Sequence, residues 1–177
     1  MFPALPAHRL YCAGFLIMPI DLIYRMHRSQ PYVVDGSAFF FVDSPPAVLR
    51  TLSIMSRDRG TFGTLKLVTK VLLRRCVYFG LAENGKPQST GLIALGYCRF
   101  YLVPSNAAVI GEIVTEPASR GQGHATRAIM LAINGMIRAG YTVFYIDTQR
   151  QNVPMIRSIE KLGFGQPIGG DAAGTSQ

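Results

Sequence analysis

The stretch that decides the fold is IVTEPASRGQGHATRAIMLA, residues 113–132. It begins as a strand, and Pro117 prevents that strand from continuing because proline cannot donate a ladder hydrogen bond. Gly121 and Gly123 then lead into a helical pattern that runs to Arg138. The first amides of a helix lack intrahelical partners, and the helix dipole places positive charge at that end. The stretch is therefore predicted to bind an anion.

The two glycines and the preceding arginine fit a phosphate group. Glycine lets the backbone approach a phosphate more closely than a side chain would. Arg120 adds a full positive charge. The pattern lacks the Gly-Lys-Ser/Thr of a Walker loop and the spacing of a dinucleotide-binding turn. An ordinary glycine-rich turn is the alternative interpretation.

Hydrophobic periodicity and turn residues predict the other elements of the chain. Before the decisive stretch we expect strands and helices in this order: a strand at 37–42, helices at 45–55 and 65–75 around a polar break at 57–64, and strands at 76–83, 90–103 and 107–115. After it we expect a helix at 121–138, a strand at 141–148 and a helix at 153–162.

This order predicts a mixed α+β fold, a mostly antiparallel sheet flanked by helices. Residues 107–148 form its one parallel strand–helix–strand crossover. We expect a single domain over residues 1–177, with a core at 36–164. Residues 1–35 form an N-terminal extension that covers a cleft or makes a homodimer contact. Residues 165–177 are rich in Gly, Ala and Ser and are expected to be a mobile tail.

Composition limits the class of protein. Of the 177 residues, 49% are hydrophobic and 16% are charged, which excludes wholesale disorder. The net charge of +8 favours an anionic partner: a phosphorylated cofactor, a nucleic acid or a membrane surface. Three cysteines without metal or redox spacing predict no metal site and a cytoplasmic location. The most apolar stretch, residues 10–24, contains Pro19 and Asp21 and is too short for stable membrane insertion.

A second motif makes the pattern specific. The run VTEPASRGQGHAT is followed by NVPMIRSIEKLGF, which begins at Asn152. Together they resemble the GNAT superfamily of acetyl-CoA-dependent acetyltransferases. The family signature Q/R-x-x-G-x-G/A matches Arg120, Gly123 and Ala125, and its K-L-G-F ending matches residues 161–164. The resemblance covers residues 107–164.

The resemblance implies acetyl-CoA as the co-substrate and a role for each matching position. Backbone amides would hold the CoA pyrophosphate at Arg120, Gly121, Gln122, Gly123, His124, Ala125 and Thr126. The strand end at Ile113, Val114 and Thr115 would pair with the pantetheine arm and polarise the thioester carbonyl. Asn152 would contact the pantetheine or the alkylamine arm. His124 is expected to donate to a phosphate rather than to act in acid–base chemistry.

The catalytic positions are less well defined. The tyrosine that many family members use as general acid is replaced by Ile159. Asp147, five residues before Asn152, is the first candidate base, and a strand-end carboxylate with a capping or solvated role is its alternative. Glu112 is the second candidate, on a strand face from which a β-bulge would have to redirect it. The three tyrosines Tyr97, Tyr101 and Tyr145 are expected to be packing aromatics.

The implied activity is transfer of acetyl from acetyl-CoA to a primary amine of a small metabolite, by direct attack in a ternary complex. The acceptor class left open includes amino sugars and other anionic acceptors. Lys66, Lys70 and Arg74 form a basic ridge that is either a solvated face or an anion-binding surface. A peptide or protein N-acetyltransferase and a non-catalytic acyl-CoA-binding regulatory module are the alternatives. Nucleic-acid binding is not expected, because no recognition motif is present.

Overall fold

The computed structural model describes residues 21–168, which form a six-stranded sheet with helices packed on its faces. The strands are β1 (Leu22–His27), β2 (Phe39–Val42), β3 (Cys76–Glu83), β4 (Lys86–Leu95), β5 (Ala107–Thr115) and β6 (Val143–Thr148). The helices are α1 (Pro45–Leu72), α2 (His124–Arg138) and α3 (Val153–Leu162), and a 3₁₀ turn spans Pro117–Ser119.

The sheet has the strand order β1-β6-β5-β4-β3-β2. Every neighbouring pair is antiparallel except β5 and β6, which are parallel and are connected through α2. The predicted α+β fold with one parallel crossover over residues 107–148 is therefore confirmed. The crossover matters for the site because α2 begins just after β5 ends.

Alternation along the strands divides the core between the two faces of the sheet. Phe79, Ile110 and Ile146 belong to the larger cluster, which includes the buried faces of α2 and α3. Tyr78 points to the opposite face and packs under α1 with Met55. A third cluster on β5 and β6 is covered by residues of the loop 96–106.

β1 is an element that the sequence analysis did not predict, since residues 1–35 were placed outside the core. Tyr24 and Met26 are buried and alternate with exposed Arg25 and His27, while the strand pairs with β6. The strand is short and has no clear turn signal around it, so the sequence pattern does not predict it. Residues 1–20 and 169–177, which carry most of the predicted extension and tail, lie outside the described residues.

The largest differences from the predicted bounds lie in α1 and β4. Only Gly60, at φ 67° and ψ 174°, is non-helical within α1, so the break expected at 57–64 is one residue wide. The strand expected at 90–103 runs instead from Lys86 to Leu95. Pro87 is tolerated there because it sits where the β3–β4 register shifts. The remainder, residues 96–106, forms a loop closed by the Gly96 amide, which donates to the Ala107 carbonyl at 2.8 Å.

Candidate active site

The centre of the site is the point where β5 and β6 separate. Their parallel pairing runs from Ala107 and Val143 to Ile110 and Ile146, after which both strands continue without pairing to each other. A cavity of about 120 Å³ opens in the gap. Four of the predicted site residues line it: Glu112, Ile113, Asp147 and Asn152. The tertiary structure thus brings both candidate bases to one opening.

A β-bulge shapes the β5 side of this cavity. Thr90 pairs with Val114 and Leu92 with Gly111, so Glu112 and Ile113 together lie opposite a single residue of β4. Glu112 adopts a φ of 51°, an uncommon value for a residue other than glycine. The bulge expected as the means of redirecting Glu112 is therefore present. A bulged residue leaves backbone polar groups outside the ladder, where a ligand is able to pair with them.

The bulge directs Glu112 towards α1. Its carboxylate lies 2.6 Å from the Nη1 of Arg59, and the Nε of the same guanidinium lies 3.3 Å from the Asp58 carboxylate. Asp58 in turn accepts hydrogen bonds from the Tyr78 and Thr90 hydroxyls, at 2.8 and 3.2 Å. This ion pair occupies the Glu112 carboxylate and ties β5 to α1. This network was not predicted from the sequence, since Asp58 and Arg59 fall in the stretch interpreted as a polar break.

Asp147 has a different environment. It is half-buried, and its carboxylate accepts a hydrogen bond of 2.9 Å from the Tyr101 hydroxyl. Burial raises the pKa of Asp147 above its ordinary value, and the bond from Tyr101 opposes part of that rise. Strand alternation places Asp147 on the Tyr145 face, opposite Phe144 and Ile146. A half-buried carboxyl with a raised pKa at a cavity fits a general base.

Tyr101 was expected to be a packing aromatic, and it packs as well as donates. Its ring centroid lies 6.0 Å from that of Tyr145. Burial, followed by the nearby Asp147 charge, raises the pKa of the Tyr101 hydroxyl, which keeps it protonated at neutral pH. No sequence signal pairs these residues, because a loop of irregular structure brings Tyr101 to β6.

The glycine corner after β5 connects that strand to α2. Gly121 and Gly123 have φ values of 76° and 78°, and a Cβ atom at either would meet nothing within 4 Å. α2 starts at His124, three residues later than predicted, and the bond from the Arg127 amide to the Gly123 carbonyl is 3.0 Å long. The backbone amides of the first helical turn therefore come before the first intrahelical hydrogen bond of α2 and have no acceptor within the helix.

The side chains around the corner remain accessible. Arg120 and Gln122 are exposed, and Ala125 and Thr126 are partly exposed at the start of α2. His124 Nε2 lies 3.1 Å from the Gln122 side-chain oxygen. Thr115 and the exposed Val114 connect the corner to the cavity along β5. Open space at two glycines, helical amides and an exposed arginine fit a diphosphate group.

Two further positions lie on α3. The Asn152 side chain accepts from the Met155 amide at 3.4 Å and caps the helix. Its contact with a pantetheine arm remains a prediction. Ile159 is fully buried in the main core with Leu162 and Phe164. The position that carries the tyrosine acid in many GNAT enzymes thus supplies no hydroxyl.

A sequence profile described as the acetyltransferase (GNAT) family matches residues 52–164, more than half of the chain. The chain belongs to the GNAT acetyltransferase family. The resemblance drawn from residues 107–164 is therefore confirmed, and the match extends it back to residue 52 within α1. No curated protein matches the sequence of this GNAT protein.

Solved GNAT structures share the fold at low sequence identity. An acetyltransferase from Novosphingobium aromaticivorans is 21% identical over 84% of this chain and 61% of its own, with a TM-score of 0.54. One from Colwellia psychrerythraea is 16% identical over 83% and 52%, with a TM-score of 0.56. The chain thus spans three fifths and half of their lengths. AAC(6')-Iy, solved with a CoA-linked bisubstrate analogue, is 14% identical over 80% and 98%, also with a TM-score of 0.56.

Within residues 21–168, no group of three or more His, Cys, Asp or Glu side chains is placed to hold a metal ion. Over the same range, no helix combines the length and apolarity needed to cross a bilayer.

Proposed function

We propose that this protein transfers acetyl from acetyl-CoA to a primary amine of a small metabolite. The observation that carries the proposal is the opening between β5 and β6, where Asp147 and the bulged strand meet within one cavity. The glycine corner lies at the end of the same strand, one 3₁₀ turn away from Thr115. A single extended thioester cofactor would therefore reach both places.

The phosphate end of CoA binds the corner. The amides from Arg120 to Thr126 hold the pyrophosphate, with Arg120 supplying the positive charge. The pantetheine arm lies along Ile113, Val114 and Thr115, and backbone groups freed by the bulge pair with it. One of the amides near Ile113 or Thr115 stabilises the negative charge that develops on the thioester oxygen.

Transfer proceeds by direct attack in a ternary complex. An alkylammonium has no lone pair, so it first loses a proton to Asp147, directly or through a water. The amine nitrogen forms a bond to the thioester carbon, the carbon–sulfur bond breaks, and the electron pair leaves with the CoA sulfur. The nitrogen loses its second proton to solvent as the amide forms, and the thiolate takes up a proton from solvent to become the CoA thiol. With Ile159 buried in the core, the thiolate leaves without a tyrosine acid on α3.

The acceptor class includes amino sugars and other anionic amines, and no nucleic-acid partner is proposed. Among the comparisons, AAC(6')-Iy is described as an aminoglycoside N-acetyltransferase, which shows only that this fold accommodates an amine-bearing sugar. A cytoplasmic location and a homodimer complete the proposal.

A non-catalytic acyl-CoA-binding module is the second candidate. Two observations favour it: the engagement of Glu112 by Arg59 at 2.6 Å, and the apolar Ile159 at the usual acid position. A peptide or protein N-acetyltransferase would have the same CoA site with a different acceptor.

Two measurements on one preparation separate these candidates. Calorimetric titration with acetyl-CoA and desacetyl-CoA measures binding, and thiol release is then measured against a panel of amino sugars, small amines and peptides. Binding with thiol release on a small amine supports the proposal. Binding with no thiol release on any amine supports the module, and release only with peptides supports the peptide enzyme. Absence of CoA binding would overturn the site itself.

A further inference from the structure

The outer face of the second half of α1 exposes large apolar side chains to solvent. We call Phe62, Leu65, Leu72 and Leu73 the outer stripe; they are 69%, 64%, 51% and 60% exposed. Their spacing of three and seven residues, with Leu73 beside Leu72, places them along one side of the helix. The opposite side, with Leu67 and Val71, is buried against the sheet. This segment is therefore apolar on both sides.

Positive charge flanks the outer stripe. Lys66 and Lys70 lie one turn apart on the helix, followed by Arg74 and Arg75, and all four are exposed. From Arg59 to Ala82 the sequence contains five basic and no acidic residues. The Lys66 ammonium sits 4.4 Å from the centroid of the Phe62 ring, so apolar and basic groups occupy the same patch. The basic ridge noticed in the sequence is thus the flank of an apolar surface.

The combination narrows the kind of partner. Exposed apolar side chains clustered in this way mark a contact surface. Symmetric pairing of two copies through this face would bring the four basic residues of one copy against those of the other, which disfavours a dimer here. The surface of an anionic bilayer satisfies both features, because leucine and phenylalanine enter the acyl boundary while lysine and arginine reach the phosphates.

We propose that the outer stripe and its basic flank form a docking surface for an anionic membrane. The helix lies flat against the headgroups and remains attached to the sheet through its inner side. This surface is independent of acetyl transfer, since none of its side chains is assigned to the CoA site or to the cavity. It gives the positive charge of α1 a use that the acetyl-transfer reaction does not require.

The test is co-sedimentation of the full chain with vesicles of phosphatidylcholine, with or without phosphatidylglycerol. Binding should require the anionic lipid and should weaken as salt rises. The double variant Lys66→Gln/Lys70→Gln should bind about thirtyfold more weakly, at roughly 1 kcal/mol for each basic residue near the surface. The double variant Phe62→Ser/Leu65→Ser should bind the anionic vesicles at least about tenfold more weakly, because less apolar surface is buried in the bilayer.

Matched control variants distinguish binding through this surface from nonspecific binding. Leu102→Ser removes an apolar side chain that is 99% exposed on the loop 96–106, and Arg138→Gln removes an exposed charge at the end of α2. Both should bind like the unaltered protein. Equal binding to uncharged vesicles, no binding, or undiminished binding of the lysine pair would overturn the proposal. A dimer in sedimentation analysis that Leu65→Ser disperses would overturn it in favour of a second copy.

Discussion

The Tyr101 hydroxyl donates a hydrogen bond of 2.9 Å to the Asp147 carboxylate, which joins the loop 96–106 to the end of β6. The bond favours the charged form of Asp147, whereas burial favours the neutral form. The two effects together set the pH at which Asp147 becomes able to accept a proton. Tyr101 acts through Asp147 and is therefore a positioning residue for the proposed base.

Tyr101→Phe tests this relationship. Removing the hydroxyl leaves burial unopposed, so the pKa of Asp147 rises further above its ordinary value. A base must be deprotonated to work, so the acidic limb of the kcat/KM profile should move to higher pH. The KM for acetyl-CoA should stay the same. Tyr97→Phe, which alters an exposed tyrosine of the same loop, is the control and should leave the profile in place. An unmoved limb in Tyr101→Phe would show that the bond is structural only.

Asp147→Asn and Glu112→Gln distinguish the two candidate bases. Asp147→Asn should lower kcat by about 10²–10⁴-fold, the usual contribution of a general base, with little change in CoA affinity. Glu112→Gln should cost much less, because Arg59 already engages that carboxylate. Steady-state kinetics across pH, with calorimetry for CoA, provide the measurement. The reverse order of the two losses would assign the base to Glu112.

Gly123→Glu should abolish CoA binding. Gly123 has a φ of 78°, which residues other than glycine rarely adopt, and a carboxylate there would repel the pyrophosphate. Gly140→Glu is the matched control, because Gly140 has a φ of 91° beyond the opposite end of α2 and similarly open surroundings. It carries a comparable backbone strain and should bind CoA normally. If the two variants bound CoA equally well, the corner would not be the diphosphate site.

Asn134→Leu should destabilise the fold. The Asn134 side chain accepts from the Tyr32 amide at 2.7 Å and donates to the Tyr32 carbonyl at 2.9 Å, which ties the segment after β1 to α2. Leucine of similar size would leave both backbone groups without these partners, at a cost of about 1–3 kcal/mol in the free energy of unfolding. Urea denaturation measures the loss. Gln30→Leu, an exposed amide nearby, should change the stability little.

The sequence predicted an element correctly where residues close together in the chain specify its bounds. The strand Ala107–Thr115 and the helix Val153–Leu162 have the predicted bounds, because alternation and an asparagine cap specify them within a few residues. The same holds for the glycine corner, whose φ values only glycine adopts easily. The prediction failed where an element depends on a neighbouring strand. Pro87 lies within a strand because a register shift accommodates it, and β1 forms because it pairs with the edge of β6.

The sequence by itself determined the α+β order, the corner that leads into α2 and the apolar residue at position 159, since each depends on residues close together in the chain. Only the tertiary structure decided which groups meet at the cavity. Tyr101 and Asp147 are 46 residues apart, and Arg59 and Glu112 are 53 apart. Their pairing depends on a bulge, a loop and a one-residue break in α1. Such long-range contacts follow from packing of the whole sheet and leave no local pattern.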